Sequence, residues 1–281
     1  MKRTIEQWIQ SRPTSDGVGV KLQRALSPGM RNIDPFLMLD EISSDNSADY
    51  IGGFPPHPHR GFETVSYMLQ GKMRHKDHLG NEGVIDDGAV QWMTAGRGVI
   101  HSEMPEQTEG VLHGFQLWLN LPSAHKMKDA AYQEYQAEQF PVNHFGINVQ
   151  SSLKVIAGSF EFDGKEFTGP VENIVTEAKF YDIDLKSDDD IDIATDKDHT
   201  VLLYCFEGEI EIEGKLLKKG QTAKTSPGET LSLTAKDDAR LLYLSAKPIG
   251  EPVVAYGPFV MNTEQEIQEA IADYNAGRLT A

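Results

Sequence analysis

The chain of 281 residues holds a single cysteine, Cys205. One thiol excludes an intrachain disulfide framework and any four-cysteine or CxxC zinc site. No run of about 20 apolar residues exists, so no membrane span is expected. Met1–Gln10 lacks the apolar core of a secretory signal, and a reduced, cytoplasmic setting (nuclear if the source is eukaryotic) is expected. Positive charge is also scarce. Lys and Arg number 26 against 43 Asp and Glu, a formal net charge of −17. That balance opposes direct phosphate binding, so no nucleic-acid partner is expected.

What is present is a succession of short apolar or alternating runs separated by Gly, Asn, Asp-Gly or Pro. Thr64–Leu69, Val111–Leu121, Lys154–Gly158, Val201–Phe206, Glu209–Glu213, Leu231–Thr234 and Leu241–Ser245 read as strands. Many strands with frequent turns point to an all-β sandwich or barrel. Two segments read as helical: the polar stretch Ser123–Gln139, and Thr263–Asn275. The second opens with a capping-box pattern, Thr263 with Glu266, and places Ile267, Ile271 and Tyr274 on one face.

Pro122 and Pro141 flank the first helical segment, which suggests two domains, 1–134 and 135–281. An apolar run followed by an x-Gly turn recurs in both halves (Gln70-Gly71, Glu207-Gly208), a hint of internal duplication. Residues 1–135 carry a net −4 and residues 136–281 a net −13, so the second half reads as an acidic companion to the first. Within it, residues 181–198 hold eight Asp and read as a solvated loop or strand edge.

Seven of the nine histidines lie between 57 and 125. In an extended chain residues i and i+2 point to one side, so His57 and His59 share a face, as do His101 and Glu103. Two such pairs on facing strands would converge three imidazoles and a carboxylate. That donor set suits Fe, Mn, Co, Ni, Cu or Zn. An HxH pair alone says little; HxHxxxE followed some 40 residues later by HxE says more. His75 and His78 read as residues of a polar turn or hairpin. His113 reads as a satisfied core histidine or a cavity-lining one, and His199 as structural. Cys205, inside an apolar run, reads as a small core residue. Phe54, Phe62, Trp92, Met93 and Trp118 read mainly as core, some of them walling a barrel mouth. Gly96-Arg97-Gly98 is a tight loop too short to cradle phosphate, and no GxxxxGK[ST] occurs.

The segments Phe54-Pro55-Pro56-His57-Pro58-His59-Arg60-Gly61-Phe62-Glu63-Thr64-Val65-Ser66-Tyr67 and Gln91-Trp92-Met93-Thr94-Ala95-Gly96-Arg97-Gly98-Val99-Ile100-His101-Ser102-Glu103-Met104-Pro105 resemble the two signatures of the pirin family, in the cupin superfamily. Asp34–Glu41, Leu117–Pro122 and Pro252–Thr263 extend the likeness over both halves. The resemblance implies two tandem cupin (jelly-roll-like) β-barrels with a short inter-domain helix and a C-terminal helix. It implies one non-haem Fe(II), held by His57, His59, His101 and Glu103 in the first barrel, and a metal-free second barrel. The broader cupin pattern would instead use Glu63; with Glu103 as ligand, Glu63 becomes a supporting carboxylate. The family is associated with quercetin 2,3-dioxygenase activity, so a flavonol and O2 are the implied substrates. A carboxylate at the metal, Glu103, is then expected to act as catalytic base toward the flavonol 3-hydroxyl. Family members are also described as coregulators, so the alternative is a metal- or redox-sensing regulator acting on a protein partner.

Overall fold

The computed structural model describes residues 1–281. The chain contributes to two compact units, each assembled from separated stretches. Residues 12–31, 36–137 and 249–281 form one, here the histidine-rich unit; residues 1–11, 32–35 and 138–248 form the histidine-poor unit.

In chain order, β1 (Ile5–Gln10) belongs to the histidine-poor unit. The histidine-rich unit then takes β2 (Arg12–Asp16), β3 (Val20–Leu26), β4 (Phe36–Ser44), β5 (Phe54–His59), β6 (Phe62–Gln70), β7 (Met73–Asp77), β8 (Glu82–Ile85), β9 (Val90–Thr94), β10 (Val99–Pro105), β11 (Leu112–Asn120), α1 (Ser123–Lys126) and β12 (Ala131–Tyr135). The histidine-poor unit takes β13 (Val142–Phe145), β14 (Ser151–Ala157), β15 (Ser159–Phe162), β16 (Lys165–Thr168), β17 (Lys179–Leu185), β18 (Asp190–Ala194), β19 (Thr200–Glu207), β20 (Glu209–Ile212), β21 (Lys215–Lys218), β22 (Gln221–Thr225), β23 (Thr230–Ala235) and β24 (Ala239–Ala246). The hairpin β25 (Val254–Tyr256) and β26 (Phe259–Met261), with α2 (Glu264–Asn275), returns to the histidine-rich unit.

Each unit is built on a seven-stranded sheet and a four-stranded sheet, joined by crossovers of the jelly-roll kind, with one two-stranded ribbon besides, β25-β26 in the histidine-rich unit and β15-β16 in the other. In the histidine-rich unit the orders are β12-β9-β6-β11-β4-β3-β2 and β5-β10-β7-β8. In the histidine-poor unit they are β1-β22-β19-β24-β17-β14-β13 and β18-β23-β20-β21. The two lists match strand for strand, which is the duplication hinted at by the sequence. The chain is all-β, two cupin barrels with two helices. Both sheets of the histidine-poor unit share one core: Ile183, Leu203 and Leu241 from the larger meet Ile191, Leu231 and Leu233 from the smaller. Inward apolar residues alternate with outward polar ones, as in DIDIA of β18, whose burial alternates exposed and buried.

Several expectations need correction. The helix expected over Ser123–Gln139 is one turn, Ser123–Lys126; Ala131–Tyr135 is instead an edge strand paired with β9 from Ala131↔Thr94 to Tyr135↔Val90. A rim strand has one free edge, so its polar composition mimics a helix. The units are also not two consecutive stretches divided at 134/135. The N-terminal strand completes the larger sheet of the histidine-poor unit by pairing with β22, and the C-terminal tail lies in the histidine-rich unit. With the ends so assigned, the histidine-rich unit has 12 basic and 20 acidic residues and the other 14 and 23. Net charges of −8 and −9 remove the contrast seen when the sequence is halved. Nor is the 181–198 stretch all solvated: Asp182 is buried against Arg240 at 2.6 and 2.9 Å, and buried Asp189 accepts from Ser151 Oγ and the Ile147 N–H.

The C-terminal helix forms as expected. Thr263 Oγ1 accepts from the Glu266 N–H and the Glu266 carboxylate accepts from the Thr263 N–H, a complete capping box. Ile267 and Ala270 bury against Phe259 and Met261. The tail is tied to the β5–β6 turn. Arg60 is buried and donates to Asp273 at 3.0 Å, to the Leu279 carbonyl at 3.1 Å and to the Arg97 carbonyl. Buried Lys126 donates to the carbonyls of Gly61 and Val260 and to Asn120 Oδ1. Gly61 sits at φ +93°, and a Cβ there would lie 2.0 Å from the Val260 oxygen, so only glycine allows this approach.

Candidate metal centre

Proline dictates the geometry of β5. Pro55, Pro56 and Pro58 hold the strand extended and remove three donors, which suits the edge of a sheet. His57 and His59 then project to one side. On β10, His101 lies directly opposite His57. The three rings converge, with centroids 4.7 Å apart for His57–His59, 4.5 Å for His57–His101 and 5.0 Å for His59–His101. One nitrogen from each lies within 4.8 Å of the others.

Hydrogen bonding leaves these nitrogens ready for a cation. His57 Nδ1 sits 2.9 Å from the Pro55 carbonyl, which fixes its proton there and leaves Nε2 a free lone pair. Both ring nitrogens of His59 and both of His101 are buried without a hydrogen-bond partner. Four orphaned buried nitrogens cost stability unless something completes them. Burial and the neighbouring imidazoles hold His59 well below the usual histidine range, and burial pushes His101 down to about 4. Both are therefore neutral near pH 7, the form that binds a metal. This donor set fits a first-row divalent metal.

Glu103 follows His101 by two residues and is buried on the same face of β10. It is not part of the three-nitrogen cluster. Ser66 Oγ on β6 lies 3.0 Å from Glu103 Oε1 and 2.6 Å from the side chain of Gln116 on β11. A hydroxyl has one proton to give. The Glu103 carboxylate and the Gln116 amide oxygen thus compete for that one proton. Glu63 stands elsewhere. Its carboxylate accepts from Trp92 Nε1 at 3.1 Å and Thr94 Oγ1 at 2.7 Å, and its odd position on β6 puts it on the opposite face from Ser66. Burial raises its pKa.

His75, His113 and His199 have partners of their own. His75 is buried on β7 of the β7–β8 hairpin, in line with the hairpin expected there. Its Nε2 meets Glu134 at 2.8 Å, and its ring stacks on Tyr132. His78 is exposed in the β7–β8 turn. His113 pairs with Glu41 at 2.9 Å, and His199 lies 3.2 Å from Ser245 Oγ. Cys205 is buried, and burial pushes its thiol up to about 12, which makes it an inert core residue.

His57, His59 and Glu103 face a cavity of about 480 Å³ inside the histidine-rich unit. Phe54, Met68, Phe115 and Trp118 supply apolar walls, and Ala255, Gly257 and Pro258 from the tail also line it. Of the aromatics read as core or mouth, Phe54 and Trp118 reach the cavity; Phe62, Trp92 and Met93 are fully buried. Phe62 and Trp118 pack edge-on against His59, with centroids 5.2 and 5.4 Å away. Sequence reasoning passed over Ser66, Gln116, Arg24 and Asp40, which line the same cavity. Ser66 and Asp40 lie inside the quoted motifs, so motif membership was the available signal.

The other barrel makes the contrast plain. By sheet order β18 and β23 are the counterparts of β5 and β10. His57 faces His101 across β5 and β10, whereas the facing pairs of β18 and β23 include Ile191 with Leu233 and Ile193 with Leu231. These side chains are buried apolar core and offer no lone pair.

Comparison with known proteins agrees with this picture. The pirin family model matches residues 18–119, and the pirin C-terminal cupin domain model matches 180–280. A Vibrio cholerae relative provisionally named a quercetin 2,3-dioxygenase is 48% identical over 98% of this chain and 97% of its own. A pirin-like protein of Caulobacter vibrioides is 43% identical over 98% and 99%. The solved quercetin 2,3-dioxygenase of Acinetobacter baumannii superposes with a TM-score of 0.90 at 34% identity, over 100% of this chain and 99% of that one. No helix is long and apolar enough to cross a membrane. With its histidine cluster in one of two like barrels and both family domains matched, the chain belongs to the pirin family.

Proposed function

We propose that this protein is a metal-dependent dioxygenase that opens the heterocyclic ring of a flavonol such as quercetin. The observation that carries the reading is the cluster of His57, His59 and His101, with orphaned buried nitrogens, beside a buried carboxylate on the wall of a cavity large enough for a three-ring substrate. The names of the Vibrio and Acinetobacter relatives support it.

The three histidines would hold Fe(II), with Glu103 as the fourth ligand in preference to Glu63, whose oxygens are already engaged by Trp92 and Thr94. Such a metal supplies Lewis acidity that lowers the pKa of the flavonol 3-hydroxyl, and open positions for substrate and O2. The protein's own part is positional and acid–base. Glu103 accepts the 3-hydroxyl proton at a carboxylate oxygen, as Ser66 Oγ holds Oε1 in place. Phe54, Phe115 and Trp118 offer flat apolar surface to a planar aromatic.

The test is O2 uptake and CO release by the Fe(II)-loaded protein with quercetin. Metal-dependent turnover that Glu103→Gln abolishes, in a barrel with an unchanged melting curve, is the expected result. Absence of turnover in the loaded wild type overturns the oxygenase reading and leaves the metal-responsive regulator.

A further inference from the structure

The cavity wall contributed by the larger sheet of the histidine-rich unit carries one polar row. Arg24 on β3 is register-paired with Asp40 on β4, Asp40 with Gln116 on β11, and Gln116 with Ser66 on β6. All four line the cavity. Two residues away along the same strands, the lining turns apolar: Leu22 beside Arg24, Met38 and Ile42 beside Asp40, Trp118 beside Gln116. Charged groups in an apolar wall are expensive unless they are paired and hydrogen-bonded.

Arg24 is only partly paired. Its Nε and Nη2 donate to the two oxygens of buried Asp40 at 2.9 and 2.8 Å, and Nη2 also reaches Asp16 at 3.1 Å. Nη1 donates to nothing in the protein. A guanidinium clamped by two carboxylates is rigid, so its spare donors are already oriented for a ligand. Strands lie about 4.8 Å apart, so the row runs about 14 Å from Ser66, which touches Glu103, to Arg24. A planar three-ring molecule with one end at Glu103 would place its far ring along this row.

We propose that Arg24, Asp40 and Gln116 form the subsite that recognises the hydroxylated far ring of a planar polyphenol. This rests on the flavonol reading of the same cavity. One phenolic O–H donates to Asp40, whose oxygens keep spare lone pairs, and a neighbouring phenolic oxygen accepts from Arg24 Nη1 or the Gln116 amide. A ring without hydroxyls would bury these groups unanswered, and sites built to hydrogen-bond a hydroxyl reject analogues lacking it.

The full-length protein, as isolated and kept anaerobic so that no turnover occurs, is titrated with quercetin and with 3-hydroxyflavone while tryptophan fluorescence is followed. 3-Hydroxyflavone keeps the 3-hydroxyl and 4-carbonyl but lacks the other hydroxyls. The wild type should bind quercetin about 10-fold more tightly or better, the yield of one to two well-made hydrogen bonds to charged groups. Arg24→Met combined with Asp40→Leu removes the pair without stranding either charge. It should abolish the preference and leave 3-hydroxyflavone affinity within about 2-fold. If that double variant lacks a cooperative melt, Arg24→Leu combined with Asp40→Met, which removes the same pair with the apolar volumes exchanged, is read the same way. Equal binding of the two flavonols by wild type, or a preference that persists in the folded variant, overturns the subsite alone. Failure of both flavonols to bind wild type overturns the flavonol reading and this subsite together.

Discussion

Ser66 and Glu103 meet across the two sheets of the histidine-rich unit, the hydroxyl 3.0 Å from the carboxylate, although 37 residues separate them. The hydroxyl takes one oxygen of Glu103 and fixes how the other is presented. Ser66→Ala is expected to lower kcat with quercetin by about 10- to 100-fold, the value of one hydrogen bond to a charged acceptor. Metal content per chain should not change, because the three imidazoles are untouched. Steady-state kinetics beside elemental analysis checks this; an equal loss of metal and of rate would mean that Ser66 serves the fold and not Glu103.

Two facing pairs of the histidine-poor barrel, Ile191 with Leu233 and Ile193 with Leu231, are purely apolar. Replacing His57, His59 and His101 by Ile, Ile and Leu, side chains of that kind, should eliminate metal binding. It should also stabilise the metal-free protein by about 2 kcal/mol or more, because the orphaned nitrogens of His59 and His101 disappear. Thermal melts with and without a chelator measure both effects. In the wild type the chelator should lower the midpoint; in the triple variant it should not.

Acid should act on the same residues. His101 is pushed down to about 4 and His59 lies well below its usual range, both by burial. Between the ordinary histidine pKa near 6.5 and the lowered values, the unfolded chain holds protons that the folded one refuses. Stability of the metal-free protein therefore falls as pH drops from about 6.5 towards 4, by up to about 1.4 kcal/mol per pH unit for each such histidine. Glu63 and Asp40, raised by burial, work in the opposite sense. Denaturant midpoints of wild type against the triple variant, measured across this range, isolate the imidazoles, since both proteins keep the two carboxyls.

Arg60 follows His59 directly and is the point where the C-terminal tail is fastened. Asp273→Asn should destabilise the protein by about 2 kcal/mol, less than for a fully enclosed pair because Asp273 is one-third exposed. Metal affinity should fall alongside, through loosening of the turn that carries His59. A melting curve and a competitive metal titration test the two effects separately.

Much of the site was legible because its spacing is local. The i, i+2 pairs His57/His59 and His101/Glu103 fix their shared faces through the strand period alone, and the capping box of Thr263 and Glu266 marks its helix without help from the rest of the chain. The parts that were not legible depend on distant pairings. Ala131–Tyr135 is a strand only because β9 lies beside it. Ile5–Gln10 finds its place against Gln221–Thr225, more than 200 residues away. The polar row of Arg24, Asp40, Gln116 and Ser66 draws one residue from each of four strands, and only register aligns them.

The tail has a consequence for how the chamber assembles. Ala255, Gly257 and Pro258 belong to the cavity wall beside His57 and His59, yet about 200 residues of chain separate them from those histidines. The His57/His59 pair is set within one strand, whereas closure of the wall around it depends on a contact of high sequence separation, the kind that forms slowly in folding.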